Sequence, residues 1–173
     1  MIKAVFLDRD GVINIDYGYV SNIDHLDFCD GIFDLTKYCI HQGFQLFIIT
    51  NQSGISRGYF NNSQFIKLMD YILDKFEKKK CPIIDYRFCP HLPNDFCRCR
   101  KPKPNMIFDL AKTYQIDLAR SLLIGDKMSD ILCGVNAGVG RNFLVSTDAT
   151  EISLPDTATF HSDLRGLLKS LAL

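Results

Sequence analysis

Short runs of apolar residues alternate along the chain with longer stretches in which apolar residues recur every three or four positions. The short runs are continuous rather than alternating, which is typical of strands buried on both faces of a parallel sheet. They predict four strands, at 4–7, 45–49, 121–124 and 142–145. The longer stretches predict five helices, at about 31–42, 62–79, 104–115, 128–138 and 162–171.

The alternation of strands and helices predicts an α/β fold with a doubly wound, Rossmann-like, mostly parallel sheet. One more strand is expected between Thr50 and Lys101, and Asn62-Ser63 is expected to cap the helix at 62–79. No repeat, linker or low-complexity segment divides the sequence, so we expect a single domain over residues 1–173. Ligands of such sheets bind beyond the carboxyl ends of the strands, which is where chemistry should be sought.

Composition narrows the possible partners. Twenty basic residues balance twenty acidic ones, whereas nucleic-acid-binding proteins normally carry an excess of basic residues, so we expect no nucleic-acid partner. No apolar stretch approaches the roughly 18 residues of a membrane span, and the first apolar run is too short for a signal peptide. We therefore expect a cytoplasmic protein without a membrane partner, and a monomer, because nothing signals an obligate interface.

Two carboxylates follow the first predicted strand, at Asp8 and Asp10, and Gly11 allows a sharp turn after them. Two negative charges so close together are unfavourable unless a cation joins them, and Mg²⁺ prefers such oxygen ligands. A surface turn built from Asp and Gly is the alternative interpretation.

Polar residues also follow the other strands. Thr50-Asn51-Gln52-Ser53 comes after the second strand, and Gly125-Asp126 begins a segment that reaches Asp130 one helical turn later. Lys101 precedes the helix at 104–115. The topology therefore predicts that carboxylates, a hydroxyl and a cation meet at one edge of the sheet.

Seven cysteines need an explanation, because a reducing compartment disfavours disulfides. Four are isolated and are expected to be small buried or half-buried residues: Cys29, Cys39, Cys81 and Cys133. The loop at 89–99 contains Cys89, His91, Cys97 and Cys99, and three thiolates with one imidazole complete the closed tetrahedral shell of a structural Zn²⁺. A redox pair or three unrelated thiols is the alternative.

The ordered set Asp-x-Asp-Gly, Thr-Asn, Lys and Gly-Asp-x-x-x-Asp resembles the haloacid-dehalogenase-like superfamily of phosphatases, from residue 4 to about 140. Only 42 positions separate Asp8 from Thr50, so no cap domain is expected there. The resemblance implies that Asp8 attacks phosphorus and that Asp10 is the general acid and base. It also implies that Asp8, Asp10 and Asp126 bind Mg²⁺. Thr50 and Lys101 would neutralise charge on the transferring group, and Asp130 would orient its neighbours.

Two families of that superfamily share the zinc loop: the heptose 1,7-bisphosphate phosphatases and the histidinol-phosphate phosphatases. Segments 14–20, 50–58 and 100–104 resemble the first, which implies a small sugar bisphosphate as substrate and removal of its 7-phosphate for heptose-nucleotide synthesis. The substrate contacts implied are Asp16, Tyr17, Gly18, Tyr19, Asn51, Gln52, Ser53, Arg100 and Lys127.

Two alternatives to that substrate remain. The spacing of five residues between His91 and Cys97 occurs as much in the histidinol-phosphate family, which is the alternative activity. An inactive, zinc-bound scaffold is the alternative of another class, and the presence of every residue of the chemical set disfavours it.

Overall fold

The central sheet has six strands and every pairing between neighbours is parallel. The computed structural model describes residues 1–147 and 153–173. The strands are β1 (Lys3–Leu7), β2 (Phe44–Asn51), β3 (Ile83–Cys89), β4 (Leu122–Gly125), β5 (Arg141–Val145) and β6 (Ala158–His161). Their order across the sheet is β3-β2-β1-β4-β5-β6, which is the doubly wound arrangement that the sequence predicts.

Among the described residues, five α-helices connect or follow the strands, and all five predicted helices are confirmed to within two residues at each end. Single-turn 3-10 helices occur at Ile23–His25 and Leu118–Arg120. The α-helices are α1 (Ile32–His41), α2 (Asn62–Lys78), α3 (Asn105–Tyr114), α4 (Met128–Ala137) and α5 (Leu164–Leu171).

The cap of α2 differs from the prediction. Asn61, rather than Asn62 or Ser63, precedes the helix, and its side chain accepts a hydrogen bond from the backbone N–H of Gln64. The Gln64 side chain in turn accepts from the backbone N–H of Asn61. This reciprocal capping box satisfies two backbone donors at once, so the position of Gln64 selects the first of the two neighbouring asparagines.

Both faces of the sheet are covered by helices. Val5 and Leu7 of β1 pack in the layer that holds α1, α2 and α5, whereas Ala4 and Phe6 pack in the layer that holds α3 and α4. All four side chains are fully buried. Burial on both sides explains why β1 is a continuous apolar run without alternation.

Among the described strands, the two without a continuous apolar run are β3 and β6. β3 lies between Thr50 and Lys101, where one further strand was expected. β6 was not predicted: it is an edge strand, its residues are half-buried or exposed, and Phe160 is its only large apolar residue. An edge strand with an exposed face needs few apolar residues, so the sequence carries little signal for it.

The connections leave the carboxyl edge of the sheet open near β1. In the described chain, the link from β1 to β2 contains only the first 3-10 turn and α1, so no separate cap domain lies there. Strand order reverses around β1, which lies between β2 and β4, and such a switch point opens a crevice beyond the strand ends. Within residues 1–147 and 153–173, no helix is long and apolar enough to cross a membrane.

Candidate active site

A buried lysine joins two carboxylates at the carboxyl end of β1. The Lys101 Nζ lies 2.7 Å from Asp8 Oδ1 and 2.6 Å from Asp130 Oδ1, and it donates a third hydrogen bond to the Ile49 carbonyl at 3.0 Å. An ammonium group has three N–H donors, so all of them are used. All three charged side chains are nearly inaccessible to solvent, which makes each dependent on the others for compensation of its charge.

Burial and charge shift the proton affinities of this group. Burial raises the pKa of Asp8 well above its usual range, although Lys101 opposes this effect. Burial also raises the pKa of Asp126, to about 6. Burial alone would lower the pKa of Lys101, but Asp130 and Asp8 outweigh it, so this pKa lies above its ordinary value. Crowded, desolvated carboxylates of this kind are characteristic of functional sites.

The carboxylates fit a divalent cation. One oxygen from each of Asp8, Asp126 and Asp130 lies within 4.8 Å of the others, and Oδ1 of Asp126 is buried without a hydrogen-bond partner. Both oxygens of Asp130 are engaged, by Lys101 and by the Lys127 backbone N–H, which leaves Asp8 and Asp126 as the better ligands. A hard cation such as Mg²⁺ would relieve their repulsion. The Asp126 carboxylate lies so close to the backbone of Gly11 that a Cβ at position 11 would overlap it, so only glycine fits there.

The Asp10 carboxylate is not part of that cluster and is held by three donors. Arg9 Nη2 and Asn14 Nδ2 donate to its Oδ1 at 2.7 and 3.0 Å, and Gln52 Nε2 donates to its Oδ2 at 2.8 Å. The same Gln52 nitrogen contacts the Thr50 hydroxyl at 2.8 Å. Asp10 and Asp8 therefore differ in their surroundings, which suits two carboxylates with different tasks.

The amide of Asn51 is used by the backbone of Lys101. Asn51 Oδ1 accepts from the Lys101 N–H at 3.1 Å, and its Nδ2 donates to the Lys101 carbonyl at 3.3 Å. This pair of hydrogen bonds fixes the segment that carries the lysine against the end of β2. Asn51 therefore supports the position of Lys101, in addition to contributing to the wall of the site.

One cavity of about 380 Å³ collects most of the predicted site. This volume is within the usual range for a small-molecule site. Tyr17 lies outside it, because the Tyr17 hydroxyl donates to Asp27 and the ring lines a neighbouring cavity. Ser129 lines the cavity although no sequence pattern singles it out. The lining residues are Asp8, Asp10, Asp16, Gly18, Tyr19, Thr50, Asn51, Gln52, Ser53, Arg100, Lys101, Lys127, Ser129 and Asp130.

Two residues that line this cavity, Asp16 and Lys127, form a salt bridge. Lys127 Nζ lies 3.1 Å from Asp16 Oδ2 and 3.4 Å from Asp126 Oδ2. Burial alone would raise the pKa of Asp16, but the N–H of Gly18 and the Lys127 ammonium lower it below its usual value. Half-exposed ion pairs contribute little to stability, so this contact mainly orients the loop that carries Asp16.

The cysteine loop is folded as the sequence predicts. Ligand atoms of Cys89, His91, Cys97 and Cys99 all lie within 4.8 Å of one another. The Cys89 and Cys97 sulfurs are 3.6 Å apart, and His91 Nδ1 is 3.2 Å from the Cys99 sulfur. Distances of this size between donors fit a tetrahedral zinc shell, in which neighbouring ligands surround one ion. The Arg100 guanidinium donates to the His91 carbonyl at 3.1 Å, which ties the loop to the cavity wall.

Replacing Lys101 with methionine is expected to destabilise the fold and to lower activity. The change leaves Asp8 and Asp130 buried without their shared cation, and breaking such a buried pair costs about 3–5 kcal/mol. Urea unfolding without added metal measures this loss. Lys78→Met is the matched control, because Lys78 pairs with Asp74 on the exposed face of α2 and should change stability by less than about 0.5 kcal/mol. Equal unfolding midpoints for both variants would contradict the structural role of Lys101.

Comparison with known proteins gives consistent results. A family model described as HAD-hydrolase-like matches residues 98–167. A Campylobacter jejuni protein, named D-glycero-alpha-D-manno-heptose-1,7-bisphosphate 7-phosphatase, is 48% identical over 149 residues, with 86% of each chain covered. A Helicobacter pylori protein, named for the beta anomer of the same substrate, is 49% identical over 145 residues, with 83% of each chain covered.

A similar solved structure is the D,D-heptose 1,7-bisphosphate phosphatase from B. bronchiseptica in complex with magnesium and phosphate. It superposes with a TM-score of 0.89 at 29% sequence identity, covering 99% of this chain and 98% of that chain. The predicted α/β architecture is therefore found over nearly the full length of both proteins.

Proposed function

Because the chain belongs to the D-glycero-D-manno-heptose-1,7-bisphosphate 7-phosphatase family of HAD-like hydrolases, we propose that it removes the 7-phosphate of this sugar through a phosphorylated Asp8. One observation carries the proposal: Asp8 and Asp10 share a single cavity with the cations Arg100, Lys101 and Lys127. A substrate with two phosphate groups needs several cations, and Arg and Lys are the residues that bind phosphate oxygens.

The first half of the reaction uses both carboxylates. An oxygen of Asp8 forms a bond to phosphorus while the bond between phosphorus and the sugar oxygen breaks. Asp10 donates its proton to that departing oxygen, so the product leaves as a neutral alcohol. Thr50 and Lys101, which line the cavity beside Asp8, stabilise the charge on the transferring group.

The second half regenerates the enzyme. Asp10, now ionised, accepts a proton from a water molecule as that water attacks phosphorus. The bond between phosphorus and Asp8 breaks, and inorganic phosphate is released. Two carboxylates in different environments are needed, because one must remain a nucleophile while the other exchanges a proton.

Two metal ions are part of the proposal. Asp8, Asp126 and the Asp10 backbone carbonyl would hold Mg²⁺, which supplies charge neutralisation and polarisation of the phosphoryl oxygens when bound. The unpartnered Asp126 oxygen supports this assignment. Zn²⁺ would be held by the four residues of the cysteine loop, where it has a structural rather than a chemical task.

The remaining cavity residues are proposed to recognise the sugar and its second phosphate. Arg100 is directed by its hydrogen bond to the zinc loop, and Lys127 by its contact with Asp16. The remaining proposed contacts are made by other residues that line the cavity, Gly18, Tyr19, Asn51, Gln52 and Ser53. Tyr17 is not included, because its hydroxyl is directed to Asp27.

We also propose that residues 1–173 act as one phosphatase domain, as a monomer in the cytoplasm. The described strands form one sheet with helices on both faces, which supports a single domain. A cluster of thiolates that binds zinc suits a compartment that keeps cysteines reduced, and all seven cysteines are free.

Phosphate release with Mg²⁺ tests the substrate. We expect kcat/KM for heptose 1,7-bisphosphate to exceed that for histidinol phosphate by at least about 100-fold, because the second phosphate makes charge-assisted hydrogen bonds that histidinol phosphate lacks. Both anomers of the bisphosphate should be assayed, since the similar proteins are named for different anomers. The control is the same assay without Mg²⁺, where turnover should be lost. Preference for histidinol phosphate would refute the substrate assignment and leave the chemistry of Asp8 in place.

A further inference from the structure

Arg9 is a fully buried charged residue inside the first motif. Its side chain is 0% exposed, and it is the largest of the fully buried side chains. A guanidinium group cannot lose its charge in a protein, so burying one is costly unless it is paired. Arginine is almost never fully buried in proteins unless it is paired, so the burial of Arg9 calls for a role.

The hydrogen bonds of this guanidinium are concentrated on one nitrogen. Nη2 donates to Asp10 Oδ1 at 2.7 Å and to the Val20 carbonyl at 2.8 Å. Nε and Nη1 are buried and have no partner within the described chain, and the guanidinium carbon lies 5.8 Å from the centre of the Phe65 ring. An arginine retained only to stabilise the core would be expected to satisfy more of its donors.

Val20 is the last residue of the loop at 16–20. Other residues of this loop form part of the cavity wall. Gly18 and Tyr19 of this segment line the same cavity as Asp10. Nη2 of Arg9 therefore connects Val20, at the end of the loop at 16–20, with the carboxylate of Asp10. Displacement of the loop would therefore move the Arg9 side chain and, through it, the Asp10 carboxylate.

We propose that Arg9 is a positioning residue, which directs the Asp10 carboxyl group toward the departing sugar oxygen and couples that direction to the loop at 16–20. The proposal rests on the proposed function, in which Asp10 is the general acid. Asn14 and Gln52 complete the support of the same carboxylate. Small errors in the position of an acid reduce its efficiency strongly, because proton transfer requires hydrogen-bond geometry.

The test compares two leaving groups. Protonation matters for a sugar oxygen but little for 4-nitrophenolate, which departs readily without it. With enzyme in excess over substrate, the first turnover reports transfer of phosphate to Asp8. For Arg9→Met we expect this rate to fall by roughly 100-fold with heptose 1,7-bisphosphate and by less than about 5-fold with 4-nitrophenyl phosphate, with substrate affinity nearly unchanged.

Further variants guard against a general effect on folding. Asn14→Leu removes the second donor to Asp10 Oδ1 and should show the same selective loss, whereas Arg9→Lys keeps a charge and should recover part of the rate. Arg165→Met is the matched control, because Arg165 forms an exposed pair with Asp30 and should leave both rates unchanged.

The outcomes separate the two proposals. Equal losses with both substrates in the folded Arg9 and Asn14 variants, or no loss with either, would overturn the positioning role. If Arg9→Met does not fold, Arg9→Lys and Asn14→Leu decide by the same criterion. Failure of the wild-type protein to hydrolyse heptose 1,7-bisphosphate would refute the proposed substrate instead, and the leaving-group comparison would then use the best alkyl phosphate.

Discussion

Replacing Asp8 with asparagine is expected to lower kcat by at least about 10⁴-fold, because the amide cannot form the bond to phosphorus on which both half-reactions depend. The protein should remain folded. The asparagine side chain has nearly the same shape as that of Asp8, relieves the burial of one carboxylate, and leaves Lys101 paired with Asp130. Phosphate release and thermal unfolding, measured on the same preparation, separate loss of chemistry from loss of structure.

The phosphorylated form of Asp8 can also be detected directly. Acid quenching during turnover should leave the mass of one phosphoryl group on the wild-type protein, on a peptide that contains Asp8, and none on the variant. Asp74→Asn is the matched control, because Asp74 lies on the exposed face of α2 and should have no effect on turnover. Substantial activity in Asp8→Asn, with phosphate attached elsewhere, would falsify the assignment of the nucleophile.

Replacing Cys97 with serine is expected to remove bound zinc and to lower the thermal midpoint. Loss of one thiolate leaves three ligands for an ion that requires four, and the free energy of metal binding contributes directly to folding of the loop. If the free energy of unfolding falls by about 2 kcal/mol, Tm should decrease by roughly 4–8 °C for a chain of this length. Turnover at saturating substrate should persist, because Asp8 and Asp10 do not belong to the loop.

Zinc content and substrate affinity distinguish this effect from general damage. We expect KM to rise, because Arg100 is bonded to the His91 carbonyl within the loop. Cys29→Ser is the matched control, since Cys29 is a half-buried cysteine outside the cluster and should leave the zinc content unchanged. A zinc-free Cys97→Ser protein with wild-type Tm and KM would rule out a structural zinc.

The fold was largely predictable because its interior strands are buried on both faces. β1 and β2 are continuous apolar runs, and each of the five helices shows a regular apolar stripe. β6 escaped prediction because Thr159 and Phe160 at the sheet edge are exposed, so the pattern there is set by pairing with β5 rather than by burial. Hydrogen bonds between strands leave little trace in the sequence when side chains face water.

The site was predictable wherever it follows from strand topology. Asp8 and Asp126 follow adjacent strands, so their proximity could be inferred without coordinates. Arg9 was missed because its burial depends on Val20 and Phe65, which are distant in sequence and are brought together only by the fold.

In the loop at 16–20, the sequence could not show which tyrosine faces the cavity. Tyr17 and Tyr19 are equivalent in sequence, yet only Tyr19 reaches the cavity. The positive φ angles of Gly18 and Tyr19, 79° and 53°, turn the chain between them. A left-handed backbone is unusual for tyrosine, and packing against Tyr59, with ring centres 4.7 Å apart, accompanies it here.

The four donors of the cysteine loop lie in pairs at its base, on either side of five residues that form a largely exposed tip. Cys89 ends β3, and Cys99 comes two residues before Lys101, so the base is anchored to the sheet and to the site. Insertions or deletions at the tip would leave these anchors in place, because lengthening a closed surface loop costs little free energy. We therefore expect a peptide grafted between His91 and Cys97 to leave Cys89 and Lys101 in place, because the added length lies outside both anchors.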